Sequence, residues 1–147
     1  MNMSATADGK PLNILLVEDD DGDAKALQRA FRSAKIANPM LRAVDGMEAL
    51  EILRGTNGRD KPPFPLLLLV DLNMPRMNGL QFVQALRQDD ALRQLVVFIL
   101  TTSKREEDKM AAYNLNVAGY ILKATAGQDF LNLVNLVDCY WRMVELP

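Results

Sequence analysis

Five short apolar runs punctuate the chain, and a longer stretch of helical periodicity separates each from the next. The runs are Leu12–Val17, Met40–Val44, Leu66–Val70, Val96–Leu100 and Ala118–Leu122. Strand-length runs that alternate with helices point to βαβ units and a mostly parallel sheet. The third run, "LLLLV", has no polar position, as expected of a strand buried on both faces. Helix starts support the pattern. A capping residue is followed three positions later by Glu, Gln or Asp at Asp20/Asp23, Asp45/Glu48, Asn78/Gln81, Ser103/Glu106 and Thr125/Gln128. The expected architecture is therefore five strands and five helices. The first helix should bury Leu27, Ala30, Phe31 and Ala34, which recur at helical spacing. "RGTNGRDKPPFP", from Arg54 to Pro65, reads as a long surface loop.

Four of the runs end in groups that carry chemistry. "LNILLV" runs into Glu18 and Asp19, "LLLLV" into Asp71, "VVFIL" into Thr101 and Thr102, and "AGYIL" into Lys123. In a parallel sheet these C-terminal ends share one edge, and ligands bind there at the point where strand order reverses. With strand order 2-1-3-4-5 the reversal falls between strands one and three. That brings Glu18, Asp19 and Asp71 together, with Thr101 and Lys123 next along the edge.

Three clustered carboxylates repel one another unless a cation sits among them. Oxygen donors alone favour a hard ion such as Mg²⁺. The sequence has no histidine, which removes imidazole from its ligands and general bases. A carboxylate touching Mg²⁺, with an ammonium and a hydroxyl beside it, is arranged to accept a phosphoryl group. Asp71 is the expected acceptor. Asp20 and Asp45 read as helix caps only. "KREEDK", Lys104 to Lys109, reads as a solvated face, and Met74, Met77 and Met110 as packing or loop residues.

From about Leu12 onward, "ILLVEDD", "LLLLVDLNMPRMNG", "FILTTS" and "GYILK" resemble the receiver domain of bacterial two-component response regulators. The resemblance implies a doubly wound, flavodoxin-like α/β fold. It also implies Mg²⁺-dependent transfer from a sensor histidine kinase to Asp71. On the same ground Asp19 and Asp71 are direct metal ligands, and Glu18 binds the metal through water. The Asn73 backbone carbonyl completes the metal site. Thr101 and Lys123 contact the phosphoryl group, and Tyr120 is the aromatic switch coupled to Thr101. "LTTS", the long loop before the third strand and the ending "YWRMVELP" are most similar to the stand-alone regulators paired with bacterial and cyanobacterial phytochromes. One position departs from the family, which has proline after the lysine where this chain has Ala124. A cis bond to a non-proline residue costs ~2.5–4 kcal/mol, so the turn is either trans and differently shaped or strained.

The remaining expectations concern organisation and partners. Residues 1–10 read as a flexible tail and 11–147 as one receiver domain. The stretch after Lys123 is too short for a DNA-binding or enzymatic output domain, so output is expected through a contact of this domain. In the last helix Phe130, Val134, Val137 and Trp141 form one apolar row, with Leu133, Leu136 and Tyr140 beside it. That arc covers roughly 180°, wider than the ~100° that one sheet contact needs. It predicts a partner face, most simply a homodimer. The net charge of −2 provides no attraction to nucleic acid or anionic membrane. One cysteine, Cys139, fits a reducing cytoplasm as the expected location, and no apolar run is long enough for a membrane helix. A catalytic role is not expected beyond slow self-catalysed phosphotransfer and dephosphorylation. Rival readings are a phosphorelay intermediate or phosphate sink, and a phosphorylation-independent binding module. A small hydrolase using Asp71 lacks a cap domain to enclose a substrate.

Overall fold

The computed structural model describes residues 13–33 and 39–123. Within them the order is β1 (Asn13–Val17), α1 (Asp21–Ser33), β2 (Met40–Ala43), α2 (Gly46–Arg54), β3 (Leu66–Asp71), α3 (Gly79–Gln88), β4 (Val96–Thr101), α4 (Glu106–Asn114) and β5 (Gly119–Leu122). All the strand pairs are parallel, and the sheet order is β2-β1-β3-β4-β5. This is the flavodoxin-like α/β arrangement that the resemblance implies, with the parallel sheet that the alternation of runs predicts. Four helices lie among the described residues. The expected fifth, its Thr125/Gln128 cap, its apolar face from Phe130 to Trp141 and the tail at 1–10 lie outside them.

Burial explains why β3 reads as unbroken leucine. Leu67, Leu68, Leu69 and Val70 are fully buried, alternating between the two faces of the central strand. Each contributes on the order of 1.5–3 kcal/mol by leaving water. One face packs Leu15, Leu68 and Val97 under α2, α3 and α4, through Ile52, Phe82 and Ala112 among others. The other packs Ile14, Leu16, Leu67 and Leu69 under Ala24, Leu27 and Phe31 of α1, with Ala30 half-buried beside them.

The helix caps follow the sequence at three of the four described starts. The Asp20 carboxylate accepts the Asp23 N–H at 2.7 Å, and the Asp45 carboxylate accepts the Glu48 N–H at 2.9 Å. Glu48 reaches back to the Val44 N–H rather than to the cap residue's own. Asn78 and Gln81 close a reciprocal capping box. The Ser103/Glu106 box does not form. α4 starts after Arg105, which provides no side-chain cap. The Ser103 hydroxyl is engaged elsewhere: it donates to Asp108 Oδ2 at 2.6 Å and accepts the Arg105 N–H at 3.3 Å. Lys104 to Glu107 are exposed, as a solvated face requires, while Asp108 turns to Ser103 and is half-buried with Lys109. Met74 is buried, Met77 packs on the core, and Met110 is 62% exposed.

At the N-terminal edge of the sheet, the Arg87 guanidinium donates to four main-chain carbonyls. These are Leu115 at 2.7 Å, Arg93 and Leu95 at 2.8 Å, and Asn116 at 3.0 Å. One side chain thus ties the end of α3 to the segments leading into β4 and β5.

Candidate functional site

Strand register assembles the opposite edge. Val17 pairs with Val70, so Glu18 and Asp71 come next in adjacent strands. Asp71 pairs with Leu100, which puts Thr101 one position beyond it, and Thr101 pairs with Leu122, immediately before Lys123. Glu18, Asp71 and Thr101 are buried, at 2%, 5% and 0% exposure. Asp19 and Asn73 are exposed. A carboxylate oxygen from each of Glu18, Asp19 and Asp71 lies within 4.8 Å of the others.

Lys123 closes the cluster despite the alanine that follows it. Its side chain is 8% exposed, and Nζ lies 2.5 Å from Glu18 Oε1, 2.8 Å from Asp23 Oδ2 and 3.2 Å from Asp71 Oδ1. These contacts answer how buried carboxylates are tolerated here: they are paired with an ammonium and hydrogen-bonded. Burial is the largest influence on Glu18 and pushes its carboxyl up to about 7, with Asp71 adding to the push and Lys123 opposing it. Burial also raises Asp71 above the usual carboxylate range against the pull of Lys123. Burial by itself would lower Lys123, but its bonds to Asp23 and Glu18 and the charge of Asp71 outweigh this and raise it.

The hydroxyl pair is linked through one residue. Thr101 Oγ1 accepts the Ser103 N–H at 3.1 Å, which leaves its own proton free to donate. The Tyr120 hydroxyl donates to the Ser103 carbonyl at 3.1 Å. Ser103 therefore contacts Thr101, Tyr120 and, through Asp108, the first turn of α4.

The β3–α3 loop is held at both ends. Gly79 donates to the Leu72 carbonyl at 2.8 Å, and its backbone lies so close that an added Cβ would stand 2.4 Å from the Asp71 carbonyl oxygen. Only glycine fits there. Within the loop Arg76 takes a left-handed φ of 64° and aims Nε at Asp45 Oδ2, 2.8 Å away. Burial would raise Asp45, but the Glu48 N–H and Arg76 outweigh it and hold the carboxyl below its usual range.

Three contributors escaped the sequence reading as site residues. Asp23 was legible only as a cap partner, although its place four residues after Asp19 puts it on the first turn of α1, beside the strand ends. Arg76 lies in "PRMNG", where nothing in the local pattern marks its partner. Ser103 was assigned to a helix cap that does not form.

Residues 14–135 match the model of the response regulator receiver domain. The chain is 32% identical over 138 residues to the response regulator Rcp1 of Synechocystis sp., covering 93% of this chain and 94% of that protein. The phosphorylated cyanobacterial phytochrome response regulator RcpA superposes with a TM-score of 0.82 at 30% identity, over 92% of this chain and 97% of that one. The Mn²⁺-bound form of Rcp1 gives a TM-score of 0.79 at 30% identity, over 93% and 99%. With its strand order, its acidic strand ends and these likenesses together, the chain belongs to the response regulator receiver family.

Proposed function

We propose that Asp71 accepts a phosphoryl group from a phosphohistidine on a separate sensor kinase and that the domain relays the signal through an altered surface. The observation that supports this most directly is the buried Asp71 carboxylate within 3.2 Å of the Lys123 ammonium, with Glu18 and Asp19 clustered beside it. In the transfer, an Asp71 oxygen bonds to phosphorus as the phosphorus–nitrogen bond breaks, and the imidazole leaves with the electron pair. This sequence contains no histidine, which supports a donor on another chain.

The donor set is hard oxygen, close-set and partly open at Asp19, and it fits Mg²⁺. Glu18, Asp19 and Asp71 would hold the ion, with the Asn73 carbonyl completing the set. When bound, Mg²⁺ neutralises charge on the transferring oxygens. Lys123 bears on the same oxygens from the β5 side. The Thr101 hydroxyl donates its free proton to the phosphoryl group, and the Ser103 backbone passes that shift to Tyr120.

The likeness to Rcp1 and to the phytochrome regulator RcpA supports a phytochrome-type kinase as donor. The homodimer through residues 130–141 rests on the sequence pattern, and sedimentation tests it. A monomer in both phosphorylation states removes it. The primary test is intact-mass spectrometry after incubation with acetyl phosphate. The expected result is a gain of one phosphoryl group that requires Mg²⁺ and disappears in Asp71→Asn. No gain in the wild type with Mg²⁺ overturns the reading.

A further inference from the structure

We propose that Asp23 gates Lys123, occupying one of its N–H donors until a phosphoryl oxygen on Asp71 displaces it; this rests on the phosphoacceptor reading above. An ammonium has three N–H donors and no more. Here three carboxylates surround Nζ, from Glu18 after β1, Asp23 in α1 and Asp71 at the end of β3, at 2.5, 2.8 and 3.2 Å. Two of these contacts are hydrogen bonds, to Glu18 and Asp23, and the third is an ion pair with Asp71. A phosphoryl oxygen arriving at Asp71 needs a donor aimed at it, and the ammonium turns to it most fully by giving up one of its two hydrogen bonds.

The surroundings decide which. Asp71 carries the incoming group itself. Glu18 is 2% exposed, so water cannot take the place of the ammonium on it. The Asp23 side chain is 45% exposed, so water replaces the ammonium at little cost. Asp23 also stands outside the cluster of Glu18, Asp19 and Asp71 that would share a metal ion. Its main chain need not move: the Asp23 N–H is already held by Asp20 at 2.7 Å, so release requires a side-chain rotation and not the unwinding of α1. Asp23 therefore competes with the phosphoryl group for Lys123 and slows its arrival. When the group leaves, the pair re-forms and ties α1 back to the end of β5.

The contest is with a half-exposed ion pair, whose strength converts to a modest kinetic effect. In Mg²⁺, labelling by phosphoramidate is followed by intact mass for the wild type, Asp23→Asn, Asp23→Glu and Asp21→Asn. Asp23→Asn should label about two- to five-fold faster. Asp23→Glu retains a carboxylate and should stay near the wild-type rate. Asp21→Asn removes the same charge from the same helix, but Asp21 pairs with Arg42 rather than Lys123, so it too should stay near wild type. Calorimetric Mg²⁺ titration is independent of labelling. Asp23→Asn should weaken binding more than Asp21→Asn does, because the freed ammonium then leans wholly on Glu18 and Asp71. Equal rates in Asp23→Asn and wild type, or equal acceleration by Asp23→Asn and Asp21→Asn, overturns the gate while the phosphoacceptor reading stands. A wild type that takes no label overturns both.

Discussion

Lys123 and Arg87 are both cations drawn into the protein, at opposite edges of one sheet, and their partners differ in kind. Lys123 faces three carboxylates and Arg87 faces four main-chain carbonyls. Carbonyls of a folded backbone cannot leave, titrate or bind a metal. Arg87 is a fixed brace, suited by its planar fork of donors to hold several acceptors at once. Carboxylates can be protonated, coordinated or phosphorylated, and a lysine can swing among them. The same physical device, a partly dehydrated cation, is structural at one edge and responsive at the other. The nature of the oxygen decides which.

Lys123→Met should give the largest effect. On the proposed function this removes a charge aimed at the developing phosphoryl oxygens, and the phosphoramidate labelling rate should fall by about 10²–10³-fold. Arg87→Met should leave that rate within about twofold, because the brace touches no reacting atom. If Arg87→Met slows labelling as much as Lys123→Met, the division of roles is wrong.

Stability should separate the pair in the opposite sense. Arg87→Met strands four carbonyls and is expected to cost about 2–4 kcal/mol in urea unfolding, with no recovery on adding Mg²⁺. Lys123→Met leaves the buried carboxylates unpaired, and Mg²⁺ should restore much of its loss by taking over the charge.

The smallest effect is a slope. The Glu18 carboxyl is raised from 4.5 to about 7 in the folded state, so the folded protein binds that proton more tightly than the unfolded chain. Its contribution is fully present below pH 4.5 and is lost as pH rises through about 7. The metal-free urea midpoint should therefore fall across this window, and Glu18→Gln should flatten the fall. Excess Mg²⁺ should reverse it, because the ion requires ionised carboxylates. Arg87→Met should keep the wild-type slope, since no carboxylate among the described residues faces that cation.

The responsive edge was largely legible in the sequence and the brace was not. Asp71 and Thr101 are the last residues of strands buried on both faces, where register alone places them side by side. The strand limits shift by no more than a residue or so from the apolar runs, as Val44 falling outside β2 illustrates. Arg87 pairs with carbonyls, and a carbonyl acceptor belongs to every residue, so no spacing or residue type announces it. Asp23 was hidden for a related reason: its backbone does satisfy a cap, and the cap accounts for its position before the side chain's second partner is known. Ser103 failed through competition, because a hydroxyl that can cap a helix can equally bond Asp108 and its own loop.

The close approach of Gly79 to Asp71 makes the Asp71 main chain stiff on its α3 side. With the start of α3 already against its carbonyl, the Asp71 main chain has no room to recoil that way. Toward β4 and β5 the neighbours are a hydroxyl, a loop and a half-buried tyrosine ring, all of which can yield. Strain created at Asp71 therefore has a compliant side and a rigid side. On the proposed function this makes the domain a mechanical rectifier, with α3 as the anvil and Tyr120 on the side that receives the displacement.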